Sequence, residues 1–76
     1  MENRIRELRK SRDLSQQDMA QRCSVSRQTI NAIENNKYDP TLQLAFRLAD
    51  VLETKVDELF NYQRKDIEMV RRHGTR

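Results

Sequence analysis

Two serines set the frame of this chain. Ser15 and Ser26 each stand before a short segment whose apolar residues return at helical spacing, and only ten residues separate them. That interval holds one helix of about two turns and a tight turn, and little else. Serine is a preferred N-cap because its hydroxyl accepts from a free N–H of the first turn. Asp18 falls three residues after Ser15, the capping-box arrangement with Asp in place of Glu, and its charge suits the positive end of the helix dipole. Met19, Ala20 and Cys23 then share an inward face. The run Ser24-Val25-Ser26 breaks the pattern. Ser26 caps a second helix, Gln28 and Thr29 keep its first turn polar, and Ile30 and Ile33 face the core. Asn35-Asn36 supplies an end, since Asn tolerates the left-handed conformation that terminates helices.

The outward face of the second helix carries the chemistry. Arg27, Gln28 and Asn31, with Ala32 at the margin, point away from Ile30 and Ile33. Arg pairs bidentately with guanine, Gln and Asn with adenine, and Ala meets a thymine methyl. Ser26, at the helix start, reaches a base or a phosphate. These are the side chains that the N-terminal part of a helix lying in a DNA major groove needs. The two helices resemble the helix-turn-helix of the Cro and lambda-repressor-like family, the xenobiotic-response-element (XRE) type. The residues that carry the likeness are Gln16, Ala20 where the helices touch, Val25, Ser26-Arg27-Gln28, Ile30 and Ile33-Glu34-Asn35. It continues through Tyr38-Asp39-Pro40 to Leu59-Phe60 and covers roughly residues 3 to 60. One departure is visible: the family usually has Gly in the turn, where this chain has Ser24. A left-handed residue costs about 1 kcal/mol or more when it is not Gly, so either Ser24 bears that strain or the turn differs.

The resemblance implies a compact, all-α, five-helix lambda-repressor-like fold over residues 1–60, with 61–76 as a C-terminal extension. It implies base contacts from Ser26, Arg27, Gln28 and Asn31. It carries to Gln16 a phosphate contact at a helix N-terminus, with Gln17 as a further candidate. In the loop after the second helix, Asn36 and Lys37 are expected on phosphates. Tyr38 either joins them through its hydroxyl or only packs under the loop. In the family the fourth and fifth helices commonly make the dimer contact.

Elsewhere the chain reads as helix and connection. Residues 3–12 form a first helix, with Ile5 and Leu8 inward and Arg9, Lys10 and Arg12 either solvated or on phosphates. Asp13 ends it. Pro40 stops propagation and Thr41 caps the next helix. In that helix, 41–53, apolar residues cover more than half the circumference, wider than a one-sided surface helix needs. Leu42, Ala45, Ala49 and Leu52 lie near the centre of the face; Leu44, Leu48 and Val51 lie on one flank, which is expected to meet a partner subunit. Val56 to Phe60 form a one-turn fifth helix, and Leu59 and Phe60 are further interface candidates. Ile67, Met69 and Val70 suit a short helix or edge strand that Gly74 could end; Arg71, Arg72 and Arg76 are basic tail residues, mostly in solvent.

Composition narrows the function. Seventy-six residues make one small domain with a limited core. One cysteine cannot form an internal disulfide, and no set of metal ligands is spaced for a site. Cys23 reads as a small buried hydrophobe rather than a redox switch, and His73 as a solvated tail residue. No nucleophile–base pair and no phosphate-cradling Gly loop is present, so an enzyme is not expected, nor is a cofactor. No apolar run spans a membrane and no signal-peptide profile opens the chain, which points to the cytoplasm. The net charge of +3 is modest but concentrated at residues 4–12 and in the tail, while residues 41–60 lean acidic. A polyanion is a fitting partner. An A-form RNA groove would exclude the second helix, which favours double-stranded DNA.

The expected function is therefore a sequence-specific, double-stranded DNA-binding transcriptional regulator. It is expected to be a repressor that occupies a two-fold symmetric operator as a homodimer. The alternative is an antitoxin or adaptor on the same fold, whose apolar late helices bind a protein partner.

Overall fold

The structure is a computed structural model, and it describes residues 1–61. Among these residues five helices and one small antiparallel ribbon follow in the order β1 (Glu2–Asn3), α1 (Ile5–Ser11), α2 (Gln16–Cys23), α3 (Arg27–Glu34), α4 (Leu42–Val51), α5 (Val56–Leu59) and β2 (Phe60–Asn61). The all-α architecture expected from the sequence holds. The ribbon is an addition: Asn3 lies opposite Phe60 and Glu2 opposite Asn61, and the Arg4 N–H donates to the Leu59 carbonyl at 2.8 Å. It ties the first residues to the end of α5. The readings of Ile67, Met69, Val70, His73, Gly74 and the basic tail fall outside the described residues.

The capping logic is realised at three helices. Ser15 accepts from the Asp18 N–H while Asp18 accepts from the Ser15 N–H, a complete capping box. Ser26 accepts from the Thr29 N–H, and Thr41 from the Leu44 N–H. α1 uses its neighbour instead, Asn3 Oδ1 accepting from the Ile5 N–H.

The four longer helices close in one way. Asp13, Ser24, Asn36 and Glu53 all have φ between 54° and 61°. At each, two N–H groups reach back over the last turn: Asp13 to Lys10 and Leu14 to Arg9, Ser24 to Gln21 and Val25 to Ala20, Asn36 to Ile33 and Lys37 to Ala32, Glu53 to Asp50 and Thr54 to Ala49. This is the Schellman closure, normally made with Gly. Ser24 thus takes the left-handed turn that the family gives to Gly.

The core gathers Ile5, Met19, Ala20, Cys23, Ile30, Ile33, Leu44, Ala45, Leu48, Ala49, Leu52, Leu59 and Phe60. α2 packs against both α3 and α4, and Arg47 of α4 donates to the Cys23 carbonyl at the end of α2. Cys23 is buried as expected, and burial pushes its thiol pKa up.

Four expectations are corrected. α4 turns Leu42 outward at 71% exposure and Phe46 at 57%, so Leu42 is not at the centre of the buried face. Leu44 and Leu48, assigned to a partner, are buried inside the single chain, as is Leu59. The helix has neighbours on two sides, α2 and α5, which shifts the buried arc toward Leu44 and Leu48. Arg9 is buried rather than solvated or free for phosphate. Phe60 starts β2 rather than ending α5 and is also buried, while Val51 is half-buried against the core.

Candidate nucleic-acid interface

α3 owes its position to Ile30 and Ile33, which are buried against the core. With those two fixed inward, helical geometry sends Arg27, Gln28 and Asn31 outward, and all three are exposed. Ser26 is exposed as well, but its hydroxyl is engaged: it accepts from the Thr29 N–H and shares a hydrogen bond with the Thr29 hydroxyl at 2.9 Å. The loop that follows keeps Asn36, Lys37 and Tyr38 exposed, Tyr38 at 48%. Gln17 is exposed in the first turn of α2, and Gln16 half-buried beside it. Their N–H groups belong to the first turn of a helix, where no carbonyl four residues back is available.

Behind this face lies a polar network. Glu34, at the inner end of α3, has a side chain at 0% exposure. Its carboxylate accepts four N–H groups. Arg9 gives Nε to Oε2 at 2.8 Å and Nη2 to Oε1 at 3.3 Å. Arg6 gives Nε to Oε1 at 3.3 Å, and Gln16 gives Nε2 to Oε1 at 3.2 Å. Three of the four fall on Oε1 and one on Oε2, so neither oxygen of the buried carboxylate lacks a partner. Arg9 also donates Nη1 to the Leu14 carbonyl at 2.9 Å. The network extends to the outer face of α3. Gln16 Nε2 donates to Asn31 Oδ1 at 3.1 Å, and Asn35 Nδ2 donates to the Asn31 carbonyl at 2.9 Å and to its Oδ1 at 3.2 Å. Arg6 Nη2 in turn donates to Asn35 Oδ1 at 2.9 Å. Gln16, expected on a phosphate, therefore has both amide hydrogens on protein acceptors.

Two sets of contacts in this architecture escape a reading of the sequence. Glu34 and Arg9 are 25 residues apart, and Arg9 sits among basic residues that look like a solvated stripe. Asn3 makes the second. Its Nδ2 donates to the Ile33 carbonyl at 2.8 Å and to Asn36 Oδ1 at 3.3 Å, which anchors the loop that carries Lys37 and Tyr38. The sequence holds no local signal for either contact.

The apolar surface of α4 is a separate region. Leu42 and Phe46, one turn apart, flank a shallow groove lined by Pro40, Ala45, Val56 and Phe60, and a second lined by Ala49, Thr54 and Val56. Among the described residues no cluster of His, Cys, Asp or Glu could hold a metal ion. No helix of the described residues is long and apolar enough to cross a membrane.

Comparisons with known proteins agree with this geometry. The family model described as Helix-turn-helix (HTH_3) matches residues 5–59. A protein of Methanocaldococcus jannaschii, named as an uncharacterized HTH-type transcriptional regulator, is 44% identical over 63 residues, which is 83% of this chain and 96% of that one. The similarly named YgzD of Bacillus subtilis is 35% identical over 60 residues, 79% of this chain and 91% of its own. Among solved structures, the restriction-modification controller protein C.AhdI of Aeromonas hydrophila superposes with a TM-score of 0.70 at 32% identity, covering 75% of this chain and 86% of that one. The SinR–SinI complex matches with a TM-score of 0.71 at 24% identity, over 90% of this chain and 72% of that one, a likeness of fold alone.

Proposed function

This chain belongs to the helix-turn-helix family of Cro- and lambda-repressor-like, XRE-type transcriptional regulators, and on that premise we propose that it is a repressor that reads a two-fold symmetric operator as a homodimer. DNA binding by α3 is the family's business. The finer reading rests on one observation: Arg27, Gln28 and Asn31 stand exposed on one side of a helix whose other side, Ile30 and Ile33, is buried. In a major groove these side chains face base edges, with Ser26 at the rim. Gln17, Asn36, Lys37 and Tyr38 fix the register on phosphates. Gln16 contributes there through its main-chain N–H, because its side-chain hydrogens are taken.

The dimer contact moves from Leu44, Leu48 and Leu59, which are core residues, to Leu42 and Phe46. Two exposed apolar side chains one turn apart, with grooves on either side, suit a self-complementary two-fold contact. Phe60 borders that surface instead of forming it, and Val51 packs against the core. Repression then follows from occupancy of a promoter.

The test is selection from a randomised double-stranded DNA pool at physiological salt. Enrichment of a dyad-symmetric site, its half-sites about one helical turn apart, is the expected result. Weak, salt-sensitive binding without a motif would refute the reading and turn attention to a protein partner on the Leu42–Phe46 surface.

A further inference from the structure

We infer that Asn31 reads the DNA only as a hydrogen-bond donor, so that its position in each half-site is a keto base, guanine or thymine, and that Gln16 and Asn35 are the positioning residues that set this polarity. The inference rests on the base-reading role proposed for α3 and names the base class that the role selects.

Guanidinium and carboxylate groups have a fixed hydrogen-bond polarity. The Arg6 guanidinium donates only, and it holds Asn35 Oδ1 at 2.9 Å. The other end of that amide is therefore NH₂, as its contact with the Asn31 carbonyl at 2.9 Å also requires. On the other side, the Glu34 carboxylate accepts from the two guanidiniums of Arg6 and Arg9. The Gln16 atom 3.2 Å from Oε1 must then be its NH₂ nitrogen. Both neighbours of Asn31 thus point hydrogens at the same atom, at 3.1 Å and 3.2 Å, and that atom must be the carbonyl oxygen Oδ1. A flipped Asn31 would set three amide nitrogens against one another. The Asn31 NH₂ has no partner among the described residues, and the residue is exposed on the groove-facing side of α3.

The consequence is chemical. The usual pairing of Asn with adenine needs an oxygen for N6–H₂ and an NH₂ for N7. Here the oxygen is committed inward. What remains outward is a donor pair, which matches the acceptors O6 and N7 of guanine or O4 of thymine. Adenine offers the single acceptor N7 but sets its N6 amino hydrogens against the second donor, and cytosine presents only its N4 amino group, so both are disfavoured against the keto bases. This revises the expectation that Asn31 selects adenine.

The experiment selects DNA from a random pool with the wild type, Asn31→Ala, Asn31→Asp and the double variant Gln16→Ala/Asn35→Ala, each first checked for a cooperative thermal melt. In the wild type one position per half-site should be guanine or thymine, and Asn31→Ala should relax that position alone, losing about tenfold in preference. Asn31→Asp keeps an acceptor toward Gln16 and Asn35 and turns a second acceptor outward, so the same position should change to an amino base, with cytosine favoured. The double variant frees Asn31 to rotate and should admit adenine there, a change that a merely structural role would not produce. Adenine at the Asn31-dependent position of the wild type, or a motif with no such position, would overturn the inference while leaving operator reading intact. A wild type that selects no motif overturns both. A further check needs no DNA: in the free protein the Gln16 side-chain amide hydrogens should exchange with water more slowly than those of Asn31. Equal rates, or the reverse order, would also overturn it.

Discussion

Replacing Arg9 by Met asks how much the buried pair with Glu34 contributes to the fold. The pair is close to fully desolvated, Glu34 at 0% and Arg9 at 10% side-chain exposure. Breaking such a pair by removing one partner costs about 3–5 kcal/mol, because the other charge stays buried. Arg9→Met leaves Glu34 with Arg6 and Gln16, so its cost lies near the lower end, about 3 kcal/mol. Glu34→Leu leaves Arg9 with only the Leu14 carbonyl and costs about 4 kcal/mol. A domain of this size holds roughly 4–11 kcal/mol in all, so each single variant should melt at least about 10 °C lower. The double variant Arg9→Met/Glu34→Leu removes both charges at similar volume, and such replacements are near neutral or stabilising. The assay is a double-mutant cycle by urea unfolding, followed by circular dichroism. The expected coupling is about 3 kcal/mol or more. Single losses under about 1 kcal/mol, or losses that simply add, would show that the pair behaves as a surface ion pair and refute the reasoning.

Ser24→Gly should raise stability by about 0.5–1 kcal/mol, because φ of 59° costs an L-residue what it does not cost Gly; chemical denaturation checks it, and a loss of stability would count against the left-handed turn. Asp18 has a pKa below its ordinary 3.8, held down first by the Ser15 backbone N–H and then by the Ser15 hydroxyl. A depressed folded-state value means that the stabilisation is present above the ordinary value and lost as pH falls through the folded one, so Asp18→Asn should flatten the acid limb of the stability–pH curve below about pH 4. Arg27→Ala should cost about 1–3 kcal/mol at one base position and relax specificity there, whereas Lys37→Ala should weaken binding to every sequence and reduce the salt slope by about one; competition binding at several salt concentrations separates the two. Phe46→Glu should shift sedimentation from dimer to monomer without a loss of helix, and an unchanged dimer would move the contact elsewhere.

What a reader of the sequence can recover here is what is local. Ser15, Ser26 and Thr41 announce their helices because an N-cap acts within three residues, and the spacing of Ile30 and Ile33 fixes which side of α3 faces out. The burial of α4 could not be assigned the same way. Its apolar arc is wide, and the choice of Leu44 and Leu48 over Leu42 and Phe46 depends on where α2 and α5 come to rest against it. The ribbon between Glu2–Asn3 and Phe60–Asn61 is two residues long on each side, too short for any alternation to show. Arg9 carried no mark that separates it from Arg6 or Arg12, since its partner arrives from α3 through the fold.

That distant pairing links stability to specificity. Glu34 stands at the junction: Arg9 reaches it from the core side, and Gln16 reaches it from the side that faces Asn31. The two demands separate in the Arg9→Met/Glu34→Leu variant. Its fold should be retained, since no charge is left unpaired at that pair. Gln16, however, loses the acceptor that fixed which end of its amide faces Asn31, so the amide is free to turn. Asn31 then keeps only the Asn35 contact, and discrimination at its base should weaken although the variant touches no exposed residue of α3. A stable variant with undiminished preference at that position would show that Asn35 alone, backed by Arg6 at 2.9 Å, is enough to hold Asn31.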